Sequence, residues 1–326
     1  MDLSDRPTGW GGSPVPRPSL EAIRAARERI LGKVVRTPLV PLHSDRATTD
    51  IFLKPETLQP IGSFKLRGVL NWATRLTEAD RKKGLSTTSA GNTAQALGYV
   101  ARLFDIPSRT LLPDTVPQNK LDAILSYGVE PVQVPFDQLL NYMLQEHWRE
   151  EPYSYLNPWG DPDMIAGSGT IGLEIVDDLP DVDTVFAPVG GGGLIAGVGS
   201  ALKALNPSIR VIGVQPESCP TLHKAFEADR GLWIQAGTTI CDGTAVPVIV
   251  DEMYPLLREV VDDVALVSEE AVKDAIRLVA LKNKLIVEGS GALSVAAALA
   301  TPDDRKSVCI LSGGSIDTER LMEILG

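Results

Sequence analysis

Lys65 stands at a junction between two kinds of local pattern. It lies in the stretch LQPIGSFKLRG, residues 58–68, after the apolar run IFLK, which predicts a strand, and before a segment with helical spacing. A lysine amine in such a place can form an imine with an aldehyde, provided that other groups complete a site around it. Because most lysines are solvated surface residues, a catalytic interpretation depends on the rest of the chain.

Four consecutive glycines follow a predicted strand and precede a predicted helix in the segment VGGGGLIAGVGSALK. Backbone N–H groups at such a place can bind an anion closely. The segment is not a Walker loop, because no GK[ST] follows, and a dinucleotide is disfavoured because Gln215 stands where an acid is expected. We therefore interpret Gly190, Gly191, Gly192 and Gly193 as a phosphate-binding loop rather than a purely structural turn.

Three further turns place polar groups after predicted strands. SAGNTAQ offers Ser89, Asn92 and turn amides at a helix N-terminus, which suits a carboxylate, although a plain helix cap would also explain it. LSGGSID presents Ser312, and TTICDGTAV contains a turn at Gly243. Together with Lys65 and the glycines, these turns suit pyridoxal 5'-phosphate, which needs a lysine imine, a phosphate site and a partner for its ring nitrogen.

The elements that position these residues alternate along the chain. Apolar runs rich in Val, Ile and Leu are followed by helical segments, from GLSTTSA to KSVCILS, which predicts an α/β fold with mostly parallel sheets covered by helices. Ligands bind such sheets at the carboxyl ends of strands, where the candidate turns fall. A first helix is predicted to begin at Ser19.

Composition narrows the class of protein. The 326-residue chain carries a formal charge of −11, which argues against a nucleic-acid binder. Three widely separated cysteines and the lack of a signal-peptide pattern predict a cytoplasmic protein. The uncharged run over residues 184–202 contains Pro188 and the four glycines, so we interpret it as strand, loop and helix rather than a membrane span. The expected partner is a small molecule, with neither nucleic acid nor membrane.

Seven motifs occur in one order from about residue 20 to the end of the chain: KPETLQPIGSFKLRG, TSAGNTAQALG, DMIAGSGTIGLEI, VGGGGLIAGV, VIGVQP, TICDGTAV and LSGGSID. As a set they resemble those of the serine/threonine dehydratases (threonine ammonia-lyases) and serine racemases, which are fold-type II pyridoxal-phosphate enzymes. Related cysteine synthases instead carry S-x-K-D-R and GTGGT motifs. The resemblance implies two open, mostly parallel twisted sheets covered by helices, as in the tryptophan synthase β-like fold.

The same resemblance implies a division into domains. We expect a large cofactor domain over residues 19–78 and 153–326, and a smaller, mobile domain over residues 79–152. The first 18 residues, rich in Gly, Pro and Ser, are predicted to be a flexible tail. Nine residues follow LSGGSID, so no C-terminal regulatory domain is expected. Family members are commonly homodimers, which makes a homodimer the expected assembly.

The resemblance also implies roles for individual residues. Lys65 would hold the cofactor as an imine and move the α-proton, while Phe64 would lie against the ring. Ser312 would face the ring nitrogen, and a hydroxyl there leaves that nitrogen neutral. The weaker electron sink favours prompt loss of a β-leaving group. Asn92 would hydrogen-bond the cofactor's 3-oxygen, and Gly243 would lie near the ring edge. The phosphate would be held by Gly190, Gly191, Gly192 and Gly193. The substrate would be bound by Ser89, Ala90, Gly91, Asn92 and Thr93.

The implied activity is β-elimination from a β-hydroxy amino acid, followed by hydrolysis of the released enamine to a 2-oxo acid and ammonia. Racemases of this group carry a second serine where this chain has Ala90, which has no proton to give. A pyridoxal-phosphate racemase using another acid and a β-replacement lyase remain alternatives. A non-catalytic ligand sensor is the third and least favoured alternative.

Several positions depart from the family pattern. The family usually has His at the position of Thr93 and Gln at the position of Ser168. It usually has a polar residue at the position of Gly160 and Asn at the position of Ser315. Because several of these changes remove side-chain bulk, we hypothesise a substrate with a bulkier β-substituent than that of serine or threonine. Two carboxylates of a family metal site are also missing around Gln215, so we predict no metal there.

Overall fold

The computed structural model describes residues 6–45, 50–301 and 305–326. Most of the chain between the termini is organised as parallel strands connected by helices. The strands are β1 (Val40–Pro41), β2 (Ile51–Pro55), β3 (Leu85–Thr88), β4 (Ser108–Pro113), β5 (Glu130–Val134), β6 (Ser154–Leu156), β7 (Thr184–Pro188), β8 (Arg210–Pro216), β9 (Leu232–Trp233), β10 (Val248–Ile249), β11 (Asp263–Val267) and β12 (Ser307–Leu311). The helices are α1 (Leu20–Ile30), α2 (Lys65–Arg75), α3 (Glu78–Lys82), α4 (Asn92–Phe104), α5 (Gln118–Ser126), α6 (Phe136–Leu144), α7 (Pro162–Asp178), α8 (Gly193–Leu205), α9 (Thr221–Ala228), α10 (Tyr254–Val260), α11 (Glu269–Asn283), α12 (Gly289–Ala300) and α13 (Thr318–Leu325).

Two open sheets form the framework. The larger has the strand order β1-β2-β12-β7-β8-β11 and is parallel except for the antiparallel edge pair β1–β2. The smaller has the order β5-β4-β3-β6 and is parallel throughout. A short antiparallel pair, β9 with β10, lies outside both. The prediction of an α/β fold with two open, mostly parallel sheets is confirmed.

Helices cover both faces of the larger sheet. Successive residues of a strand point to opposite faces, so Val185 joins one apolar cluster and Phe186 joins another. The first cluster packs against α7, α8 and α10, and the second packs against α11 and α12. This two-sided burial explains why the strands of this sheet are almost continuously apolar.

Helices α2, α7 and α8 pack unusually closely because glycines lie at their contacts. A methyl group at Gly167 of α7 would lie 2.5 Å from the carbonyl oxygen of Arg67 in α2. One at Gly197 of α8 would lie 2.3 Å from the carbonyl oxygen of Ile165 in α7. Helix α7 therefore ties together the two helices that begin at Lys65 and at Gly193.

A buried ion cluster also holds α2 in place. Arg67 donates to Glu56 at 2.7 Å and to Glu174 at 2.6 Å, and Lys54 donates to Glu174 at 2.7 Å. All four side chains are at most 5% exposed. Charges at this depth are tolerated only when they are paired and hydrogen-bonded, so the cluster fixes the position of α2 against β2 and α7.

The described part of the N-terminal segment departs from the flexible tail predicted over residues 1–18. Val15 is buried, and its N–H donates to the carbonyl oxygen of Glu252 at 2.8 Å. Trp10 packs against the same apolar cluster. The segment is not a free tail because its apolar residues, which lie among Gly and Pro, pack into a groove that composition alone does not reveal.

One strand lies just beyond the domain boundary predicted at residues 152 and 153. Strand β6 pairs with β3 and so belongs to the smaller sheet, although the prediction assigned residues 154–156 to the large domain.

Among the described residues, no helix is both long and apolar enough to cross a bilayer.

Candidate active site

Three of the predicted site segments follow neighbouring strands of the larger sheet. Lys65 follows β2, Ser312 follows β12, and the glycine cup, which we define as Gly190, Gly191, Gly192 and Gly193, follows β7. Strands β2, β12 and β7 are parallel neighbours, so their carboxyl ends bring these groups to one edge.

Backbone contacts join the lysine turn to the Ser312 turn. The N–H of Phe64 donates to the carbonyl oxygen of Ser312 at 3.0 Å, and Ser63 pairs with Gly313 as an isolated antiparallel bridge. Phe64 takes the N-cap position of α2 and makes no side-chain cap bond. The Ser63 hydroxyl donates to the Ser312 carbonyl at 3.3 Å and accepts from the Lys65 N–H at 3.4 Å.

Lys65 lies in a desolvated environment. Burial lowers the pKa of its ammonium to about 8, and the nearby Glu288 carboxylate opposes this shift. The Nζ atom lies 5.1 Å from the centre of the Phe64 ring. An amine with this pKa has a substantial neutral fraction near neutral pH, as a nucleophile or general base requires.

Glu288 is a central residue that the sequence interpretation missed. It directly precedes α12 and is 6% exposed, and burial raises the pKa of its carboxyl to about 7. Its Oε1 accepts from Asn92 Nδ2 at 3.1 Å, and its Oε2 accepts from the Ser315 N–H at 3.1 Å. The local signal was an acid before a glycine-rich helix, VEGSGAL, which is also a common helix-start pattern.

The glycine cup has the backbone form that an anion site requires. Gly192 adopts a left-handed conformation with φ of 97° and forms the N-cap of α8. Within the described chain, the N–H groups of the four cup glycines donate to no other residue. A methyl group at Gly193 would meet nothing within 4 Å, so open space adjoins these donors. The cup therefore fits a phosphate bound at a helix N-terminus.

Gly243 lies against this cup. A methyl group at Gly190 would lie 3.2 Å from Thr244 Cα and 3.4 Å from the Gly243 carbonyl oxygen. One at Gly243 would lie 3.0 Å from Ser290 Oγ, at the start of α12. The Gly243 turn thus fills the space between the cup and the helix that follows Glu288.

The Ser89 turn, comprising residues 89–93, follows β3 of the smaller sheet. The Ser89 N–H donates to the Leu111 carbonyl at 3.1 Å, and its hydroxyl accepts from the Gly91 N–H at 3.2 Å. Gly91, rather than Ser89, is the N-cap of α4. Asn92 opens the helix and donates to Glu288, just before α12, so the turn faces the edge that carries Lys65.

A small cavity, which we call the lysine cavity, lies beside Lys65. Two of the altered family positions, Gly160 and Ser168, line it. The Ser168 hydroxyl donates to the Met164 carbonyl at 3.2 Å within its own helix. Asp161 also lines it; burial raises the pKa of its carboxyl to about 6, although the carboxylate caps α7 by accepting from two N–H groups.

At the positions of the family metal site, this chain has uncharged side chains that form hydrogen bonds. Gln215 is buried; its Oε1 accepts from the N–H groups of Leu222 and His223, and its Nε2 donates to the Val189 carbonyl. Cys219 Sγ lies 3.4 Å from Thr221 Oγ1. Over the described residues, no cluster of three or more His, Cys, Asp or Glu side chains could hold a metal ion. The absence of a metal stays a prediction.

The fold and this arrangement define a pyridoxal-phosphate dependent enzyme: the chain belongs to that family, which matches residues 30–313. Within it, the chain is 38% identical over 317 residues to the catabolic L-threonine dehydratase of Escherichia coli strain K12, covering 94% of this chain and 96% of that protein. It is 37% identical over 310 residues to the L-threonine ammonia-lyase of Geobacter sulfurreducens, covering 93% and 77%. The resemblance drawn from the motifs is confirmed.

Solved structures agree with this placement. A threonine deaminase of T.th. is similar with a TM-score of 0.85 and 36% identity, over 92% of this chain and 99% of that chain. Maize serine racemase is similar with a TM-score of 0.87 and 31% identity, over 94% and 97%. Both an elimination enzyme and a racemase are therefore near in structure, so the choice between them depends on the site residues.

Proposed function

We propose that this enzyme uses pyridoxal 5'-phosphate to remove water from a β-hydroxy amino acid of the threonine or serine type, yielding a 2-oxo acid and ammonia. The observation that carries the proposal is the convergence of Lys65, Ser312 and the glycine cup at the ends of three adjacent strands. Similarity to proteins named threonine dehydratase and threonine ammonia-lyase supports the reaction class.

The residues of the chain have distinct tasks in this reaction. The cup N–H groups would hold the cofactor's phosphate, and Phe64 would pack beside its ring. When bound, the cofactor supplies an electron sink that weakens the bonds of the substrate's α-carbon. Lys65 Nζ, whose pKa is lowered to about 8, accepts the α-proton. Ser312 contributes a neutral hydroxyl at the ring nitrogen and so does not favour a long-lived carbanion.

Substrate orientation comes from the Ser89 turn. The Ser89 hydroxyl and the amides at the start of α4 bind the substrate carboxylate, a task that suits a helix N-terminus. Asn92 Nδ2 donates to Glu288 and carries a second hydrogen for the cofactor's 3-oxygen. The hydrogen bond to Glu288 therefore orients the amide.

Ala90 favours elimination over racemisation. It lies between Ser89 and Gly91 in the carboxylate-binding turn, and its methyl group has no proton to deliver to the α-carbon.

The free amino acid is the expected partner. Three free, buried cysteines and the charge of −11 support a cytoplasmic enzyme, and a homodimer is part of the same proposal.

A substrate screen tests this function. Purified holoenzyme is incubated with L-threonine, L-serine and larger β-hydroxy amino acids, and 2-oxo acid and ammonia are measured together. Equal amounts of both products support elimination. Inversion of the α-carbon without ammonia indicates a racemase. A new amino acid formed on adding a thiol indicates β-replacement, and binding without turnover indicates a sensor.

A further inference from the structure

A second, larger cavity lies between the two domains, and we call it the apolar cleft. Its volume is about 150 Å³. Its small-domain wall includes Phe136, Leu140 and Met143 of α6, and its large-domain wall includes Trp233 and Val248. Thr88 and Ser89 are the polar residues of the lining, and no charged side chain belongs to it in the described chain.

The apolar cleft continues from the candidate active site. Ser89 and Ala90, which lie in the carboxylate-binding turn, form part of its lining. Trp159 lines both the apolar cleft and the lysine cavity, and its Cδ1 would lie 3.4 Å from a methyl group at Gly191 of the cup. A substrate held between Ser89 and Lys65 therefore has Trp159 beside it and the apolar cleft within reach of its β-substituent.

Polar groups near the apolar cleft have partners elsewhere. Thr88 Oγ1 lies 2.9 Å from the Tyr155 hydroxyl. Arg109, a cation of the small sheet, forms an ion pair with Glu151, whose carboxylate also accepts from Tyr142. A carboxylate placed in the apolar cleft would lose its hydration without a paired cation, whereas an apolar group would gain from burial.

The N-terminal segment of this chain supports the tryptophan walls. Trp233 Nε1 donates to the Pro7 carbonyl oxygen at 2.8 Å, so its polar edge is satisfied and directed toward that segment. A methyl group at Gly160, which follows Trp159, would lie 3.0 Å from Trp10 Cη2 and 3.1 Å from Val15 Cγ2. Trp10 and Val15 thus occupy the space beside Gly160 and leave no room there for a polar side chain.

We infer that the apolar cleft binds the β-substituent, and that the preferred substrates are β-hydroxy amino acids with an aromatic or branched apolar β-substituent. This inference rests on the proposed function and names the substrate class of the same site. A methyl group, as in threonine, would fill only a small part of the apolar cleft, whose volume is about 150 Å³. Serine, threonine and 3-hydroxyaspartate are therefore poorer substrates.

Kinetics on the holoenzyme test this inference. We expect kcat/KM for 3-phenylserine or 3-hydroxyleucine to exceed that for threonine by at least about tenfold, and that for 3-hydroxyaspartate to be lower still, because differential burial of a few carbons discriminates by about this much. Met143→Ala should lower kcat/KM for 3-phenylserine several-fold and leave that for threonine nearly unchanged. Leu125→Ala, on the exposed surface of α5 and 52% exposed, is the matched control and should change neither value.

Ligand binding separates this inference from the reaction. L-Phenylalanine and L-aspartate lack the β-hydroxyl, so calorimetric binding to the holoenzyme reports the apolar cleft without elimination. Tighter binding of phenylalanine, weakened by Met143→Ala, supports the inference even if no substrate is dehydrated, which would overturn only the proposed function. A preference for serine, threonine or aspartate, or an equal effect of Met143→Ala on all ligands, overturns the inference.

Discussion

Asn92 Nδ2 lies 3.1 Å from Glu288 Oε1, and this hydrogen bond joins the first turn of α4, which follows a strand of the smaller sheet, to the start of α12, which packs on the larger sheet. The two residues are 196 positions apart in the chain. Asn92 belongs to the Ser89 turn and Glu288 lies near Lys65, so the bond links the turn that we propose for the substrate carboxylate to the lysine side of the site.

The lowered pKa of Lys65 predicts how quickly the apoprotein takes up its cofactor. Only a neutral amine attacks the aldehyde, and with a pKa of about 8 the neutral fraction rises about fivefold from pH 7 to 8 and less than about twofold from pH 8 to 9. Stopped-flow absorbance on mixing apoprotein with pyridoxal 5'-phosphate should follow this curve. A rate that grows about tenfold per pH unit through pH 9 would indicate an ordinary lysine.

Glu288→Gln should change the pH dependence of stability of the apoprotein. The folded pKa of about 7 lies above the reference value of 4.5, so the stability contribution of this carboxyl is present below about pH 4.5 and is lost as pH rises to about 7. Relative to the parent, the variant should therefore gain stability between pH 5 and pH 8, by at most about 3 kcal/mol. Urea unfolding at the two pH values measures this. Glu130→Gln, at an exposed position, is the control, and an equal response of both variants would refute the assignment.

Two glycines of the cup should respond differently to alanine. Gly192 has a φ of 97°, and a methyl group there would lie 2.7 Å from Leu257 Cδ1, so Gly192→Ala should destabilise the apoprotein by about 1 kcal/mol or more. Gly193→Ala adds a methyl group in open space and should leave the melting temperature of the apoprotein nearly unchanged. It should still weaken cofactor binding by about tenfold or more, because the methyl group enters the space beside the phosphate donors. Unchanged cofactor affinity would remove Gly193 from the cup.

The buried ion cluster should be essential for holding α2. Arg67→Met leaves the carboxylates of Glu56 and Glu174 without their main partner, and we expect a loss of about 3–5 kcal/mol in the free energy of unfolding. Arg75→Met on the same helix breaks an exposed pair with Asp163 and should cost about 1 kcal/mol or less. Denaturant unfolding of both variants compares them directly. Similar losses would show that the cluster has no special role.

Chelation should have no effect on the holoenzyme. Gln215 uses its side-chain amide for hydrogen bonds to backbone groups at the start of α9 and near the cup, so this position offers no carboxylate to a divalent cation. Activity and melting temperature are measured with and without EDTA. A drop in either that magnesium or calcium restores would contradict the prediction.

The local part of this site could be predicted from sequence because each group follows a strand. Lys65, the glycine cup and Ser312 lie in turns whose glycines and apolar flanks are visible without coordinates. Glu288 could not be found in this way, because its partner Asn92 is distant in sequence and its burial depends on tertiary packing.

The same limit applies to the N-terminal segment and to the strand boundary. The sequence around Trp10 and Val15 is typical of a flexible tail. In the folded chain Val15 is buried and Trp10 is partly buried, and both lie beside Gly160. Strand β6 is three residues long, and only its pairing with β3 assigns it to the smaller sheet. Long-range packing, rather than local propensity, decides both features.

Product release by the parent enzyme and by Lys65→Ala tests the central claim most directly. The holoenzyme is incubated with L-threonine and with 3-phenylserine, and 2-oxo acid and ammonia are quantified in the same samples. We predict equal amounts of the two products from the parent enzyme, and loss of both products and of the visible absorbance of the bound cofactor in Lys65→Ala. Undiminished release of 2-oxo acid and ammonia by Lys65→Ala, or no release from any β-hydroxy amino acid by the parent, would contradict the account.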